Sequence, residues 1–94
     1  MQIGIVIGNV WATRKEETLN GLKLMVVQRL DLASGKLAES YVAVDCVGAG
    51  RGERVLITTG SSARKALRDR DTPVDAAIVG ILDQEEMMGK DAGE

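Results

Sequence analysis

Few side chains in this sequence could carry catalysis, and none is spaced to pair with an activating partner. Three aspartates, Asp45, Asp75 and Asp83, fall at strand ends or turns, where two carboxylates could act as general acid and general base. The chain has no histidine and one cysteine, which excludes an imidazole base, a histidine-built zinc site, an internal disulfide and a thiolate cluster. We therefore assign the aspartates to turns and hydrogen bonds. We predict that the protein is not an enzyme and has no metal site or cofactor.

Two glycine-containing segments could bind an anion through backbone N–H groups. The first, residues 48–52 (GAGRG), lacks the glycine spacing and the following helix of a dinucleotide-binding motif, so we interpret it as a loop rather than a phosphate cradle. The second, Gly60-Ser61-Ser62, precedes a run of helix-forming residues, and serine at such a place is an N-cap signal. Capping is the simpler interpretation. A functional loop that lines a pore or contacts a ligand stays open as the alternative.

A local basic cluster follows these serines, and two interpretations of it stay open. Its members are Arg64, Lys65, Arg68 and Arg70. They form either a solvated helix face, partly balanced by Asp69 and Asp71, or a docking surface for an acidic partner. Nucleic acid is disfavoured because the formal net charge is -2 and because the two aromatic residues, Trp11 and Tyr41, do not interleave with the basic ones.

These residues must be positioned by a small, mainly β domain. Apolar runs predict one helix of about two turns and five strands, the strands at residues 2–13, 22–32, 40–47, 54–59 and 76–82. The helix falls between the fourth and fifth strands. Asn20-Gly21 and Ser34-Gly35 are turn signals between the first three. This spacing favours an all-β fold, a five-stranded antiparallel barrel of OB-like Greek-key type that is open at its edges.

The strands carry more apolar residues than a barrel interior needs. Met25 and Val27 of the second strand, and Leu56 of the fourth, are assigned to the outer face. The core row of the second strand is then Leu22, Leu24, Val26 and Leu30. Cys46 alternates with core valines and is expected to be buried. Extra apolar surface needs a cover, and a 10.0 kDa chain without phenylalanine has little core of its own, so we expect neighbouring subunits to provide it.

Four segments together resemble the EutN/CcmL family, whose members are pentameric vertex proteins of bacterial microcompartments such as carboxysomes. They are IGNVWATRK, LMVVQRLD, VAVDCVGAGRGERVLITTGSSARKAL and PVDAAIVGILD, in the order the family has them. The resemblance covers residues 1–83, which we take as a single domain. Residues 84–94 form an acidic tail that we expect to be flexible.

The resemblance implies a structural shell protein. Five copies would form a pentamer that closes the vertex of an icosahedral shell made of hexameric shell proteins. It places four residues near an axial pore: Gly60, Ser61, Ser62 and Arg64. Together with the apolar outer positions, it gives seven candidate contacts to other subunits or hexamers: Arg14, Met25, Val27, Gly48, Ala49, Gly50 and Leu56.

The location and the alternatives follow from the same observations. The chain shows no leader sequence and no apolar run long enough to cross a membrane, so we expect a cytoplasmic protein in a microcompartment shell, with no membrane or nucleic acid partner. The alternative is an OB-type binding module for a small anion, nucleotide or single-stranded nucleic acid. An enzyme is the third and least favoured class.

Overall fold

The predicted alternation of apolar residues gives five strands in the computed structural model, which describes residues 1–11, 15, 17–19, 21–68 and 74–83. The elements are β1 (Gln2–Asn9), a 3-10 turn (Glu17–Leu19), β2 (Leu24–Leu30), β3 (Leu37–Asp45), β4 (Arg54–Thr59), α1 (Gly60–Ala66) and β5 (Ala76–Leu82). The predicted bounds of β4 and β5 are confirmed, and so is the length of the helix. Residues 69–73, in the predicted connector, and the acidic tail at 84–94 lie outside the described residues.

The first three strands differ from their predicted bounds because turns begin earlier than the apolar pattern indicates. β1 ends at Asn9, and β2 ends at Leu30 rather than at 32. The Asp31 N–H donates to the carbonyl of Lys36 at 2.8 Å, and the Gly35 N–H donates to the carbonyl of Asp31 at 2.7 Å. This tight turn, with Gly35 at a φ of 74°, lets β3 begin at 37, three residues before its predicted start.

The strands form a closed barrel in the order β1-β2-β3-β5-β4. Four of the five pairings are antiparallel, and β3 pairs with β5 in parallel, over Val44↔Ala77 and Asp45↔Ile78. The predicted five-stranded barrel with one short helix between the fourth and fifth strands is therefore confirmed, whereas the expectation that it is antiparallel and open at its edges was wrong. A closed ring with an odd number of strands cannot alternate in direction all the way round, so one neighbouring pair must be parallel.

The barrel interior holds the main hydrophobic core, and it reverses the predicted faces of β2. Met25 and Val27 are buried inside, opposite Ala43 and Val6 respectively, while Leu24 and Val26 point outward and are half-buried. The core residues are Val6, Met25, Val27, Ala43, Ala49, Val55, Ile57, Ala76 and Ile78. Met25 and Val27 therefore have almost no surface to offer to another subunit, and their assignment to an outer face was wrong. Both rows of β2 are apolar, so alternation alone could not choose between them.

A second, smaller core lies on the outside of the barrel under α1. It consists of Val44, Ala63, Leu67 and Ala77. β5 buries Ile78 inside the barrel and Ala77 under the helix. The predicted cover on both faces is therefore confirmed for the N-terminal half of β5 but not at Ile81, which is 41% exposed. The cover of the outer face here is the chain's own helix rather than a neighbouring subunit, which corrects that part of the expectation. No helix among the described residues is long and apolar enough to cross a membrane.

Gly4 shows why the first strand needs a residue without a side chain. A Cβ at this position would lie 2.8 Å from the carbonyl oxygen of Gln28 and 3.0 Å from Cδ1 of Ile57. The nearer atom belongs to the backbone, which cannot rotate away as a side chain can. Gly4 therefore marks a close approach between the neighbouring strands β1 and β2, which is one of the usual reasons for a glycine inside a strand.

Candidate functional site

The outer side of β1 presents an apolar surface that the single chain leaves partly uncovered. Its members, which we call the β1 outer face, are Ile3, Ile5, Ile7, Val26 and Leu56. Ile3 and Leu56 are Cα partners, so their side chains lie side by side on the same face. The β-bulge between Val6 and Gly8 leaves Ile7 without a partner on β2, and its side chain is 41% exposed. Bulges re-aim side chains, and this one makes Ile7 a projecting apolar residue. Leu56 is outward and half-buried, as predicted.

Partly uncovered apolar residues also occur on β3 and β5. Their parallel pairing covers two residue pairs, although the strands are nine and seven residues long. The N-terminal half of β3 and the C-terminal half of β5 extend from this contact in opposite directions, so they lie at opposite ends of the barrel. Exposed apolar residues are Leu37 and Val42 on β3 and Ile81 on β5. Val42 and Ile81 are 40% and 41% exposed.

Polar groups close the barrel at the end where β1 and β3 begin. Tyr41 packs against the barrel core, and its hydroxyl donates a hydrogen bond to Oε1 of Gln2. Burial raises the pKa of the Tyr41 hydroxyl. Arg29 donates to both carboxylate oxygens of Glu39, at 2.7 and 3.1 Å, and these hydrogen bonds lower the pKa of Glu39. Both sides of the pair reach solvent, so its contribution to stability is small.

Asp45 organises the loop that follows β3, which we call the glycine loop (residues 46–53). Its Oδ1 accepts the N–H groups of Val47 and Gly48, both at 3.0 Å. Lys23 Nζ lies 3.4 Å from Oδ2, an ion pair without a hydrogen bond. Burial opposes ionisation of Asp45, but the N–H groups of Val47, Ala49 and Gly48 together with Lys23 outweigh it, and the pKa of this carboxyl is lowered. The predicted structural role of Asp45 is confirmed.

Further N–H donors of the glycine loop are also used within the chain. The Gly50 N–H donates to Oε1 of Glu53 at 2.5 Å, and the Gly52 N–H donates to the carbonyl of Val6 at 2.8 Å. Two carboxylates and a strand carbonyl therefore occupy the groups that would hold a phosphate. The interpretation of residues 48–52 as a loop rather than a phosphate cradle agrees with this geometry.

Three predictions about exposure in and near this loop have different outcomes. Ala49 points into the barrel and is fully buried, so it belongs to the core and has no side-chain surface for a subunit contact. Gly48 is exposed and Gly50 is half-buried, so both keep accessible backbone. Cys46 is exposed, contrary to its predicted burial. The reason is that Asp45 turns the chain away from the barrel at the end of β3. Arg14 lies outside the described residues.

The segment Gly60-Ser61-Ser62 forms the first turn of α1 rather than a loop before it. The N-cap residue is Thr59, whose side chain makes no capping hydrogen bond, so the predicted serine cap was wrong. Gly60 has a φ of 63°, a conformation that favours glycine, and its N–H donates to the carbonyl of Asp75 at 2.9 Å. Ser61 and Ser62 are exposed.

The rest of α1 separates its basic residues from its apolar ones. Ala63 is buried against the barrel, while Arg64, Lys65 and Arg68 are exposed. Arg70, the fourth member of the predicted basic cluster, lies outside the described residues. The helix therefore presents Ser61, Ser62 and Arg64 to its surroundings, while its apolar residues hold it to the barrel.

Sequence reasoning missed a pocket beside the end of β1. Its volume is about 240 Å³, and it is lined by Asn9, Val10, Trp11, Lys15, Leu22, Lys23 and Leu24. The side chain of Trp11 is 90% exposed. Such exposure is unusual for the largest apolar side chain in the sequence. A tryptophan placed just beyond the last residue of a strand is the signal that could have pointed to it.

Comparison with known proteins gives one consistent result. Residues 1–83 match the family model described as ethanolamine utilisation protein EutN/carboxysome. A carboxysome shell vertex protein, CcmL, from Thermosynechococcus vestitus is 46% identical over 83 residues, covering 88% of this chain and 84% of the relative. The bacterial microcompartment shell vertex protein GrpN from Rhodospirillum rubrum is 47% identical, covering 88% of this chain and 93% of the relative.

The structural comparison agrees with the sequence comparison. The solved GrpN pentameric microcompartment shell protein from Rhodospirillum rubrum superposes with a TM-score of 0.75 at 46% identity, covering 88% of this chain and 94% of that one. The solved CcmL of Nostoc sp. PCC 7120 gives a TM-score of 0.79 at 47% identity, covering 88% of this chain and 89% of that one. The fold is thus shared over most of both chains.

Proposed function

Because the chain belongs to the EutN/CcmL family, we propose that it is a structural protein that forms the pentameric vertex of a bacterial microcompartment shell. The observation that carries this proposal is the match over residues 1–83 to relatives named shell vertex proteins, at 46% and 47% identity. Hexameric tiles form flat sheets, and a fivefold unit supplies the curvature that closes a polyhedral shell. The partners are therefore further copies of this chain and hexameric shell proteins.

We also propose that the protein has no enzymatic activity of its own. The relatives carry the names of shell vertex proteins. The carboxylate best placed for chemistry, Asp45, is engaged with backbone N–H groups and Lys23 and is held in its ionised form. A carboxylate that accepts hydrogen bonds from its own loop is not available as a general acid or base.

The first turn of α1 is our candidate for the lining of the axial pore, at Gly60, Ser61, Ser62 and Arg64. Exposed hydroxyls and a guanidinium there would favour small polar or anionic species over apolar ones. Replacing Ser61 and Ser62 together with phenylalanine is expected to lower metabolite flux through assembled shells, and unchanged flux would remove this assignment. Exposed Gly48 and half-buried Gly50 remain candidate contacts to other subunits or to hexamers.

The absolute mass in solution tests the proposed function. A species near five times 10.0 kDa is expected by light scattering or native mass spectrometry. A stable monomer that binds an oligonucleotide or nucleotide would favour the OB-type binding module instead. The occupied donors of the glycine loop give that alternative no support.

A further inference from the structure

The pocket beside the end of β1, which we call the Trp11 pocket, combines an apolar wall with two cations. Trp11 is the single tryptophan of the sequence, and the described residues leave its side chain 90% exposed. The lining contains two lysines and no carboxylate. The members of the wall are Val10, Trp11, Leu22 and Leu24, and the cations are Lys15 and Lys23. This composition suits a partner that carries acidic and apolar groups next to each other.

The two lysines have ammonium donors to offer. Lys15 is exposed and forms no ion pair with any described residue. Lys23 donates to the carbonyl of Ala49 at 3.3 Å and lies 3.4 Å from a carboxylate oxygen of Asp45, yet 54% of its side chain is exposed. An ammonium group has three donors, so Lys23 can accept a further anionic partner.

The acidic tail of this chain carries the matching groups in four consecutive residues, Glu85-Glu86-Met87-Met88, which we call the EEMM segment. Two carboxylates match two ammonium groups. Methionine adapts to irregular apolar pockets, and its sulfur makes favourable contacts with aromatic rings. The EEMM segment lies beyond residues 1–83, which match the family model, so it is a property of this chain rather than of the matched family region.

The barrel topology directs the tail toward the Trp11 pocket. Leu82 pairs with Arg54, and Arg54 pairs with Ile5, so the end of β5 is level with Ile5 of β1. Both pairings are antiparallel, and β5 therefore runs in the same direction as β1. Trp11 lies six residues beyond Ile5, and Met88 lies six residues beyond Leu82. A chain leaving β5 in this direction comes level with Trp11 at the EEMM segment.

The length of the tail is sufficient for contact within one chain. The pocket lies two to three strand spacings from β5 and five to six residues farther along the strand direction, which is roughly 20–25 Å. Residues 84–94 can span up to about 36 Å when extended. The same chain can therefore fill its own pocket.

We propose that the EEMM segment docks in the Trp11 pocket of its own chain. The carboxylates of Glu85 and Glu86 face Lys15 and Lys23, and the two methionines cover the ring of Trp11. Residues after Met88 keep the flexibility expected from the sequence. This contact does not require a pentamer, so it is independent of the proposed function.

Trp11 is itself the reporter for a first test, because the chain has no other tryptophan. Replacing both Glu85 and Glu86 with lysine is expected to increase quenching of its fluorescence by acrylamide and to shift its emission to longer wavelength. The matched control replaces Asp91 and Glu94 with lysine, which makes the same change of charge in the same tail outside the EEMM segment. It is expected to leave both signals at the wild-type value.

The apolar half of the contact has its own variant. Replacing Met87 and Met88 with serine keeps the charge of the tail and is expected to expose Trp11 to acrylamide as well. If either tail variant leaves the quenching of Trp11 at the wild-type value, or if the Asp91 and Glu94 control increases it equally, the proposal is wrong.

A charge exchange tests the pairing with Lys15. Lys15→Glu alone is expected to increase the quenching of Trp11. Combining Lys15→Glu with the lysine replacements of Glu85 and Glu86 is expected to restore part of the protection, because the charges are opposite again. Lys36→Glu, an exposed change in the β2–β3 turn, is the matched control and is expected to have no effect. No recovery in the combined variant would overturn the pairing.

A disulfide test distinguishes contact within one chain from contact between chains. In a Cys46→Ser background, Lys15→Cys with Met88→Cys is expected to oxidise to an internal disulfide in a chain of 10.0 kDa. Leu32→Cys with Met88→Cys is the matched control, because Leu32 is 66% exposed at the other end of β2, and it is expected to oxidise much more slowly. Disulfides between chains in the first variant, or equal rates in both, would overturn the proposal.

The mass of every variant separates this inference from the proposed function. The tail variants are expected to keep the oligomeric state of the wild type, and circular dichroism establishes that each has folded. If the wild-type chain is monomeric, the proposed function fails while the quenching of Trp11 still tests the docking. If the wild type is a pentamer and the tail variants leave the quenching unchanged, the docking is wrong although the function stands.

Discussion

The glycine loop and the first turn of α1 are both rich in small residues, but they satisfy their backbone polar groups differently. In the loop, the carboxylates of Asp45 and Glu53 accept N–H groups from within the same chain. At the start of α1, Thr59 makes no capping hydrogen bond, and Ser61 and Ser62 face outward. The loop is therefore a self-contained structural unit, while the helix start keeps polar groups available to its surroundings.

This difference shows how a glycine-rich motif can be judged from its neighbours. Backbone donors at glycines bind anions only when no nearby carboxylate has already taken them. Asp45 directly precedes the loop and Glu53 ends it, so the chain supplies its own anions at both ends. We expect substitutions in the loop to act on folding, and substitutions at the helix start to act on assembly or transport.

The largest expected effect is the loss of the Asp45 carboxylate. Asp45→Ala removes hydrogen bonds to two N–H groups and the ion pair with Lys23, so the free energy of unfolding should fall by about 2–3 kcal/mol. Ser61→Ala is the matched control at the helix start, and it should change the free energy of unfolding by less than about 0.5 kcal/mol. Chemical denaturation at one protein concentration measures both, because association adds to apparent stability. Equal losses in the two variants would contradict the comparison.

The same carboxylate should make stability depend on pH. The pKa of Asp45 is lower in the folded chain than its ordinary value of 3.8, so its contribution is present above that value and is lost as the pH falls through the folded pKa. Asp31 and Glu39 have lowered pKa values as well and act in the same direction. Asp31 and Glu39 contribute equally in the wild type and in Asp45→Asn, so their effect cancels in the difference between the two free energies of unfolding. This difference should shrink below a pH of about 4; a constant difference down to pH 2 would contradict the assignment.

Glycines with positive φ occur in both the glycine loop and the first turn of α1, and replacing them should have a smaller effect on stability. Gly48 and Gly60 have φ values of 82° and 63°, with open space where a Cβ would stand. Alanine at either position should cost about 1 kcal/mol through strain alone. Gly8→Ala is the matched control, because that position has equal space and no positive φ. Chemical denaturation of the three variants measures their free energies of unfolding. If Gly60→Ala leaves this free energy unchanged, the turn at the start of α1 relaxes without cost.

The barrel itself was predictable because its strongest signals are local. The apolar runs that form β4 and β5 are bounded by polar and glycine residues, and their ends agree with the structure to the residue. The close approach at Gly4 is also marked locally, because a strand interior otherwise disfavours glycine. The family resemblance rests on the same segments, so fold and family were available from the sequence together.

Side-chain direction was less predictable, for reasons that differ by residue. Met25 and Val27 share a strand with an equally apolar opposite row, and the choice between the rows depends on where α1 packs. Cys46 follows Asp45, whose hydrogen bonds turn the chain outward, and Ala49 fills the barrel end although its neighbours are glycines. Each outcome depends on contacts between residues distant in sequence or on a single side-chain hydrogen bond, which periodicity does not report.

The smallest expected effect lies at the other end of α1 and has the opposite sign. Arg68 has a φ of 59°, and its N–H donates to the carbonyl of Lys65 at 2.9 Å, an arrangement in which glycine is the preferred residue after a helix. Arg68→Gly should therefore raise the free energy of unfolding by up to about 1 kcal/mol, since it removes strain and leaves the backbone hydrogen bond in place. Arg68→Ala is the control, because it removes the charge but keeps the Cβ, and it should give no gain. If both variants gain equally, relief of charge repulsion with Arg64 and Lys65 explains the effect, and the strain at the end of α1 does not limit stability.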